Sequence, residues 1–257
     1  MVATLLHIET AGRVLTIGLN RAAKRNALND AIILELEATF ATLSEDIGAV
    51  VIHGIGDNFS AGLDLSELTE RDATAGLMHS RMWHRAFDAI QHARVPVISA
   101  LKGAVIGGGL ELACATHIRV AEPSAFYALP EGSRGIFVGG GASVRLPRLI
   151  GVARMADMML TGRVYSAAEG VAIGVTQYLT EEGGAFAKAV ALAERVAENA
   201  PLTNYAVMQA LPLIAEAAPQ TGLLLESLMA GVAQSDQEAK RRIQAFLERK
   251  AGKVRPG

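Results

Sequence analysis

Ile106-Gly107-Gly108-Gly109-Leu110-Glu111 places three consecutive glycines between an apolar run and a carboxylate. A second acidic residue follows twenty positions later, in Leu129-Pro130-Glu131-Gly132. Both stretches lie in one of the most apolar parts of the chain, where a glutamate is desolvated and is therefore either paired or functional. Two such carboxylates favour paired acid–base chemistry. The alternatives without chemistry are an acid that complements a helix N-terminus for Glu111 and a solvated turn acid for Glu131.

The segments on either side of residues 106–111 alternate between strand-like and helix-like patterns. Short apolar runs that end at glycine or asparagine indicate buried strands, and apolar residues at helical spacing indicate amphipathic helices. This alternation predicts an α/β protein with a mostly buried sheet faced by helices. The predicted strands are 14–19, 49–53, 95–100 and 118–120, and the predicted helices are 30–44, 74–92 and 108–116.

From residue 141 onward the pattern predicts helices. Many of these segments lack a fully polar face, and in one of them four leucines lie within residues 223–228. A helix that is apolar around most of its circumference needs cover on several sides. It is either central to the fold or packed on another subunit, and we favour the second because no further strands are predicted for these helices to cover. The predicted helices are 142–149, 152–160, 167–171, 184–198, 201–211, 218–232 and 236–249.

Composition and charge exclude several classes of protein. The 257 residues fit one large domain or a domain with a small appendage. A net charge of −2 provides no basic footprint for nucleic acid or for an anionic membrane. Cys114 is the single cysteine, which excludes an internal disulfide and a multi-cysteine metal site. With no signal-peptide pattern and no apolar run of about 18 residues, we expect a cytoplasmic protein without a membrane partner.

Three glycine-bearing turns each precede a helix-like segment, and the first two also follow a strand-like segment. They are residues 58–65, 107–109 and 135–141. Such turns leave backbone N–H groups unpaired, and glycine lets a ligand approach the backbone closely. The second turn lacks the G-x-G-x-x-G spacing, so a dinucleotide fingerprint is not supported. For the first two turns the alternatives are an ordinary strand-to-helix connection and close packing of helix on sheet.

The turns and the acids together suit one kind of chemistry. Two backbone N–H groups from separate turns would form an oxyanion hole, and two carboxylates beside it would serve proton transfer next to a carbonyl. In a reaction through an enolate, the N–H groups stabilise the oxyanion while the acids move protons or water. Such a reaction requires no metal.

Two motifs in these turns resemble the crotonase (enoyl-CoA hydratase/isomerase) superfamily. They are Phe59-Ser60-Ala61-Gly62-Leu63-Asp64-Leu65 and Gly107-Gly108-Gly109-Leu110-Glu111, which together are highly specific for it. The resemblance extends from residues 21–29 to the helix around Phe246. It implies an α/β crotonase-like spiral of repeated ββα units, with the acyl-CoA site, over residues 1–195. It also implies a C-terminal helical trimerisation region over residues 196–257.

The resemblance implies partners and roles for individual residues. The substrate is an acyl-CoA thioester, coenzyme A enters as part of that substrate with no other cofactor, and the chain forms a homotrimer or a dimer of trimers. Two of the CoA contacts, at Phe246 and Lys250, commonly complete the site of a neighbouring subunit. The implied residues are Glu111 and Glu131 as catalytic acids; Leu63 and Gly108 as oxyanion-hole amides; Gly139 for positioning water; Lys24, Arg25, Ala27, Ser60, Ala61, Gly62, Asp64, Leu65, Phe246 and Lys250 for CoA; and Met78, Met82, Trp83 and Phe137 for the acyl pocket.

Three positions near Glu131 depart from the pattern of hydratases in the superfamily. Val138-Gly139 stands in place of Pro-Gly, Gly141-Ala142-Ser143 in place of Gly-Gly-Thr, and Gly132 in place of a branched apolar residue. These positions border the acyl group, so they bear on the substrate and on the reaction.

The resemblance implies hydration of a trans-2-enoyl-CoA to a 3-hydroxyacyl-CoA. Glu111 would activate water for attack at C3, and Glu131 would protonate C2. The alternatives are an isomerase that shifts a double bond with Glu131 alone, another crotonase-type reaction such as hydrolysis or retro-aldol cleavage, and a non-catalytic acyl-CoA-binding protein.

Overall fold

Strands of the first 180 residues form two sheets in this computed structural model, which describes residues 4–67 and 71–248. The larger sheet has the strand order β1-β2-β3-β4-β6-β9, and the smaller has the order β5-β7-β8. Pairing is parallel throughout the larger sheet except between β1 and β2. The strands are β1 (Leu6–Ala11), β2 (Val14–Leu19), β3 (Ala49–Gly54), β4 (Val97–Leu101), β5 (Ala104–Ile106), β6 (Ile118–Ala121), β7 (Phe126–Ala128), β8 (Tyr165–Ser166) and β9 (Tyr178–Leu179).

Helices alternate with the strands up to β9, and the described chain beyond β9 is mostly helical. Capping side chains begin several of them: Asn29 accepts a hydrogen bond from the amide of Ile32, and Asp72 accepts one from the amide of Ala75. The helices are α1 (Asp30–Ala41), α2 (Ala73–Gln91), α3 (Gly108–Ala115), α4 (Ala142–Ile150), α5 (Val152–Thr161), α6 (Ala167–Ile173), α7 (Ala185–Ala197), α8 (Pro201–Tyr205), α9 (Leu211–Glu216), α10 (Pro219–Ser235) and α11 (Gln237–Leu247).

The central strands of the larger sheet are buried on both faces. In β3, Val50 and Ile52 belong to the main core, whereas Ala49 and Val51 belong to a second core under α7. This division follows from the period of two along a strand, and both faces are apolar because helices cover both. The central strands therefore pack against side chains on both faces of the sheet.

The structure corrects the predicted elements in both halves of the chain. In the first half, β1, β5 and β7 are strands that the sequence patterns did not predict. The second half is not purely helical, because β8 and β9 lie within it and β9 joins the larger sheet beside β6. Each is two residues long, too short to show a period of two. The helix predicted over 201–211 is interrupted by a π-helical turn at Ala206–Ala210 and continues as α9.

The described residues divide into two units, one ending at Ala197 and the other beginning at Glu198. In the second unit, α10 buries only Gly222, and its large apolar side chains are exposed. In the described part of the chain, no helix is long and apolar enough to cross a membrane. The exposed apolar residues of α10 are Leu223, Leu224, Leu225, Leu228 and Val232.

Candidate active site

A cavity of about 350 Å³ opens where the three glycine-bearing turns of the first unit meet. Two buried glutamates lie in its wall, and most of the remaining lining is apolar or backbone. A concave site with few polar groups is the usual form of a small-molecule site. Its lining residues are Ala61, Gly62, Leu63, Leu65, Gly76, His79, Ser80, Trp83, Gly107, Gly108, Glu111, Glu131, Arg134, Ile136, Phe137, Val138, Gly139 and Gly140.

The turn between β5 and α3 brings a backbone amide to the cavity. Gly107 has φ +52°, and a Cβ added there would lie 2.7 Å from Oε1 of Glu131. Only glycine combines this backbone conformation with so close a carboxylate. The next residue, Gly108, begins α3, so its N–H is one of the donors that a helix leaves unpaired.

A second amide, that of Leu63, lies beside the first. A Cβ added to Gly108 would lie 3.4 Å from the Leu63 nitrogen, and one added to Gly62 would lie 3.1 Å from the Gly108 nitrogen. Neither the Leu63 amide nor the Gly108 amide donates a hydrogen bond to another described residue. Two adjacent unpaired donors form a site for an oxygen that carries negative charge.

Glu111 is held in the first turn of α3 by two amides of the opposite wall. Its Oε1 accepts hydrogen bonds from the amides of Gly140 at 2.8 Å and Ala142 at 3.0 Å. The side chain is buried, and burial raises the pKa of this carboxyl above its usual value. The amides of Ala142 and Gly140 and the charge of Arg145 oppose that rise in pKa. Glu111 is therefore a fixed carboxylate whose second oxygen lies beside Gly140.

Arg145 braces the loop that holds Glu111. It is 7% exposed, and it donates from Nη1 to the carbonyl of Gly140 at 2.9 Å. Its other donors reach Gln91 and Asp88 on α2. A buried guanidinium is tolerated because it is paired in this way. The loop amides that bind Glu111 are thus fixed to α2 through one side chain.

Glu131 has a different environment from Glu111. It is 7% exposed, and its Oε2 is buried without a hydrogen-bond partner in the described structure. Burial raises the pKa of Glu131 to about 7, and the charge of Glu111 acts in the same direction. A carboxyl with this pKa is a proton donor near neutrality.

The structure explains why glycine follows Glu131. A Cβ on Gly132 would lie 2.1 Å from the backbone oxygen of Met159, in α5. The branched residue usual in related hydratases therefore has no space here. The other two departures from the hydratase pattern are Val138 and Ala142. Val138 lines the cavity, and the amide of Ala142 donates a hydrogen bond to Glu111.

Gly139 lines the cavity, and its role in positioning water stays a prediction. Its carbonyl accepts a hydrogen bond from Ser80 Oγ at 2.7 Å, and its amide acts with those of Ala142 and Gly140 to lower the pKa of Glu111. The backbone of Gly139 therefore interacts with Ser80 of α2 through its carbonyl and with the carboxylate of Glu111 through its amide.

One face of α2 forms the wall of the cavity beside the glutamates. The residues are Gly76, His79, Ser80 and Trp83, at the i, i+3, i+4, i+7 spacing of a single helical face. Of the residues predicted for the acyl pocket, Trp83 and Phe137 are in the lining. The structure places Met78 and Met82 outside it because the helical period turns both away: Met78 is exposed, and Met82 packs against the core.

The residues predicted to bind CoA fall into separate groups. Ala61, Gly62 and Leu65 line the cavity. Lys24 and Arg25 lie at the surface, where the Lys24 ammonium pairs with Asp64 at 2.9 Å. Phe246 is an exposed residue of α11 in the second unit, and Lys250 lies outside the described residues.

Three predicted CoA contacts are buried and bonded within the protein. Ser60 donates to the carbonyl of Asn26 at 2.8 Å and accepts from the amide of Gly62 at 3.1 Å. Asp64 is paired with Arg21 and Lys24, and the carbonyl of Ala27 accepts from Arg21. Ser60, Asp64 and Ala27 therefore support the turn through these bonds, and their contact with CoA stays a prediction.

Several site residues were missed by the sequence reasoning. Arg145 carries no local signal, since an arginine in a helix is normally exposed. His79 and Ser80 could have been found from the spacing that they share with Trp83 on α2. In the described residues, no group of three or more His, Cys, Asp or Glu side chains could hold a metal ion.

Comparisons with known proteins agree with the geometry. The enoyl-CoA hydratase/isomerase family model matches residues 9–254. A 2,3-dehydroadipyl-CoA hydratase of Escherichia coli (strain K12) is 34% identical over 249 residues, covering 95% of this chain and 96% of that protein. A crystal structure from Rhodopseudomonas palustris CGA009, of a protein provisionally named enoyl-CoA hydratase, has a TM-score of 0.94 and 74% identity over 97% of each chain. A protein of the same provisional name from Thermobifida fusca YX, solved in complex with CoA, has a TM-score of 0.83 and 25% identity, covering 90% of this chain and 93% of that one.

Proposed function

The chain belongs to the enoyl-CoA hydratase/isomerase family, and we propose that it adds water across the 2,3 double bond of a trans-2-enoyl-CoA to give a 3-hydroxyacyl-CoA. The crotonase-type α/β fold expected from its motifs is confirmed by solved structures of the same fold. The related E. coli protein is a hydratase, so hydration is compatible with a sequence 34% identical to this one.

One observation carries the proposal: two carboxylates and two unpaired amides line a single cavity. Glu111 is oriented by two amides, whereas Glu131 keeps an oxygen without a partner. Isomerisation needs one acid to shuttle a proton and no water. Hydration needs a base for the water and an acid for the carbon, which two carboxyls in unlike environments provide.

The proposed reaction begins when the amides of Leu63 and Gly108 bind the thioester oxygen. Each well-placed donor stabilises the developing oxyanion by about 3–4 kcal/mol. Glu111 takes a proton from water as the water oxygen bonds to C3, and the C2–C3 π electrons form the enolate. Glu131 then gives its proton to C2 as the thioester carbonyl reforms. A protonated Glu111 and an ionised Glu131 remain, and proton exchange restores the starting state.

We expect the purified protein to convert crotonyl-CoA to 3-hydroxybutyryl-CoA, and Glu131→Gln to reduce that rate by about 10²–10⁴-fold because the variant lacks the proton donor. Product identification by mass spectrometry after incubation with a 2-enoyl-CoA and, separately, with a 3-enoyl-CoA is the measurement. Conversion of the 3-enoyl ester without hydration of crotonyl-CoA would identify an isomerase and exclude this proposal.

The hydration rate is expected to fall as the pH rises through about 7. Glu131 must be protonated to act as the acid, and its pKa of about 7 means that the donor form is lost above that pH. Glu111 must be ionised to act as the base, so the rate also falls at acid pH. Because the two carboxyls interact, the apparent pKa values of the acid and alkaline sides of the profile belong to the pair and not to either residue alone. The measurement is kcat/KM for crotonyl-CoA from about pH 5 to about pH 9, because its pH dependence reports the pKa values of groups in the free enzyme. A profile that does not fall at alkaline pH contradicts the assignment of Glu131 as the acid.

We also propose that coenzyme A takes part only as a portion of the substrate and that the chain assembles as a homotrimer or a dimer of trimers. Addition of water to an alkene involves no net oxidation or reduction, so the reaction needs no redox cofactor. The exposed leucines of α10 supply an apolar face of the kind that self-association buries.

A further inference from the structure

The wall of the cavity along α2 carries two polar side chains, His79 and Ser80. Trp83 lies at one end of this wall, where the edge of its ring is next to Gly108. Gly76 lies at the other end, about 10 Å away along the helix axis, since an α-helix rises about 1.5 Å per residue. His79 and Ser80 line the cavity between these two positions. An acyl chain whose thioester oxygen binds at Gly108 extends along this wall.

Arg134 lines the same cavity from the segment that follows Glu131. Its guanidinium makes no hydrogen bond or ion pair with any residue in the described ranges. It is close enough to Glu131 to lower the pKa of that carboxyl. Since arginine stays charged at all relevant pH values, an unpaired guanidinium in a cavity wall favours an anionic group of a ligand.

Two other side chains of this wall have hydrogen-bonding capacity to spare. The indole N–H of Trp83 is buried without a partner, although the residue is only 4% exposed. His79 bonds through Nε2 to Asp30 at 2.7 Å, and its Nδ1 has no bond to another described residue. An alkyl chain offers no acceptor to the guanidinium of Arg134, whereas a carboxylate accepts hydrogen bonds from it.

We infer that the pocket selects 2-enoyl-CoA esters whose acyl chain ends in a carboxylate. Arg134 pairs with that carboxylate, and His79 and Trp83 border its path. Asp30, which hydrogen-bonds to His79, also forms an ion pair with Arg71 at 3.6 Å, and the positive charge of Arg71 offsets that of Asp30. The inference rests on the proposed hydration, since that reaction places the acyl chain along α2.

The test compares two six-carbon trans-2-enoyl-CoA thioesters, one ending in a methyl group and one ending in a carboxylate. We expect kcat/KM for the carboxylate-ended thioester to be higher by about 10–100-fold, the range of a charge-assisted hydrogen bond. Arg134→Gln is expected to reduce this ratio by about 10-fold or more. Arg81→Gln removes the charge of an exposed arginine of α2 that is outside the cavity lining, and this matched control is expected to keep the wild-type ratio.

Equal kcat/KM for the two thioesters in the wild-type protein would overturn the inference. An Arg134→Gln variant that loses both activities by the same factor would also overturn it, because Arg134 would then serve the CoA portion. If neither thioester is hydrated, the proposed function fails, and calorimetric dissociation constants decide the inference separately. Tighter binding of the carboxylate-ended thioester supports it, and equal binding overturns it.

Discussion

Replacing Glu111 by Gln is expected to lower kcat for hydration of crotonyl-CoA by about 10²–10⁴-fold, the usual contribution of a general base. Glutamine has nearly the same shape, and its side-chain oxygen can still accept from the amides of Gly140 and Ala142. The substitution therefore removes the basic group while the loop around it keeps its hydrogen bonds. Steady-state kinetics with crotonyl-CoA, together with thermal unfolding of the variant, measure the two effects separately.

Glu122→Gln is the matched control for this substitution. Glu122 is also buried, and its carboxylate accepts a hydrogen bond from Ser124 at 2.9 Å, but it is not part of the cavity lining. We expect this variant to retain wild-type kcat. Near-wild-type turnover by Glu111→Gln would remove Glu111 from the mechanism, and equal losses in the two variants would indicate a general effect of burying an amide.

Replacing Gly62 by Ala is expected to lower kcat/KM by about 10²–10³-fold, the cost of losing one oxyanion donor. Gly62 has φ +86°, and its added Cβ would lie 2.5 Å from the carbonyl oxygen of Ile106 and 3.1 Å from the amide nitrogen of Gly108. Relief of these contacts must move the two turns apart. The amides of Leu63 and Gly108 would then no longer reach one oxygen.

Gly12→Ala separates the displacement of the turns from simple backbone strain. Gly12 has φ +57°, but no atom lies within 4 Å of its added Cβ. Both variants impose an unfavourable left-handed conformation, at about 1 kcal/mol, and only Gly62→Ala adds the collision. We expect both to lose stability in urea unfolding and only Gly62→Ala to lose activity. If a folded Gly62→Ala variant has wild-type kcat/KM, the paired amides do not form the oxyanion site.

The elements that sequence patterns predicted well are those whose signal is local. The strands at 14–19 and 49–53 are continuous apolar runs, and the structure has strands at Val14–Leu19 and Ala49–Gly54. Strands β8 and β9 escaped detection because two residues carry no period, and their partners lie dozens of residues away in sequence. The fold class therefore followed from the long elements, whereas the closing of both sheets depended on short segments that only tertiary pairing orders.

The same division holds for the site. Both glutamates stood out in the sequence beside glycine-bearing turns, and the resemblance carried by the glycine motifs implied the amides of Leu63 and Gly108. A turn that must admit a close neighbour needs glycine at a defined position. The unlike environments of the two carboxyls were not visible in the sequence, since the amides that hold Glu111 come from residues about thirty positions away.

By itself the sequence determined the α/β class, the family resemblance and the two acidic positions, since each is encoded in short-range patterns of apolar, glycine and acidic residues. Only the tertiary structure decided that Arg145 holds the loop around Glu111, that Gly132 leaves room for the Met159 carbonyl, and that His79 and Arg134 line the cavity. The physical reason is that burial, hydrogen bonding and close contact are properties of neighbours in space, and folding brings these neighbours together from distant parts of the chain.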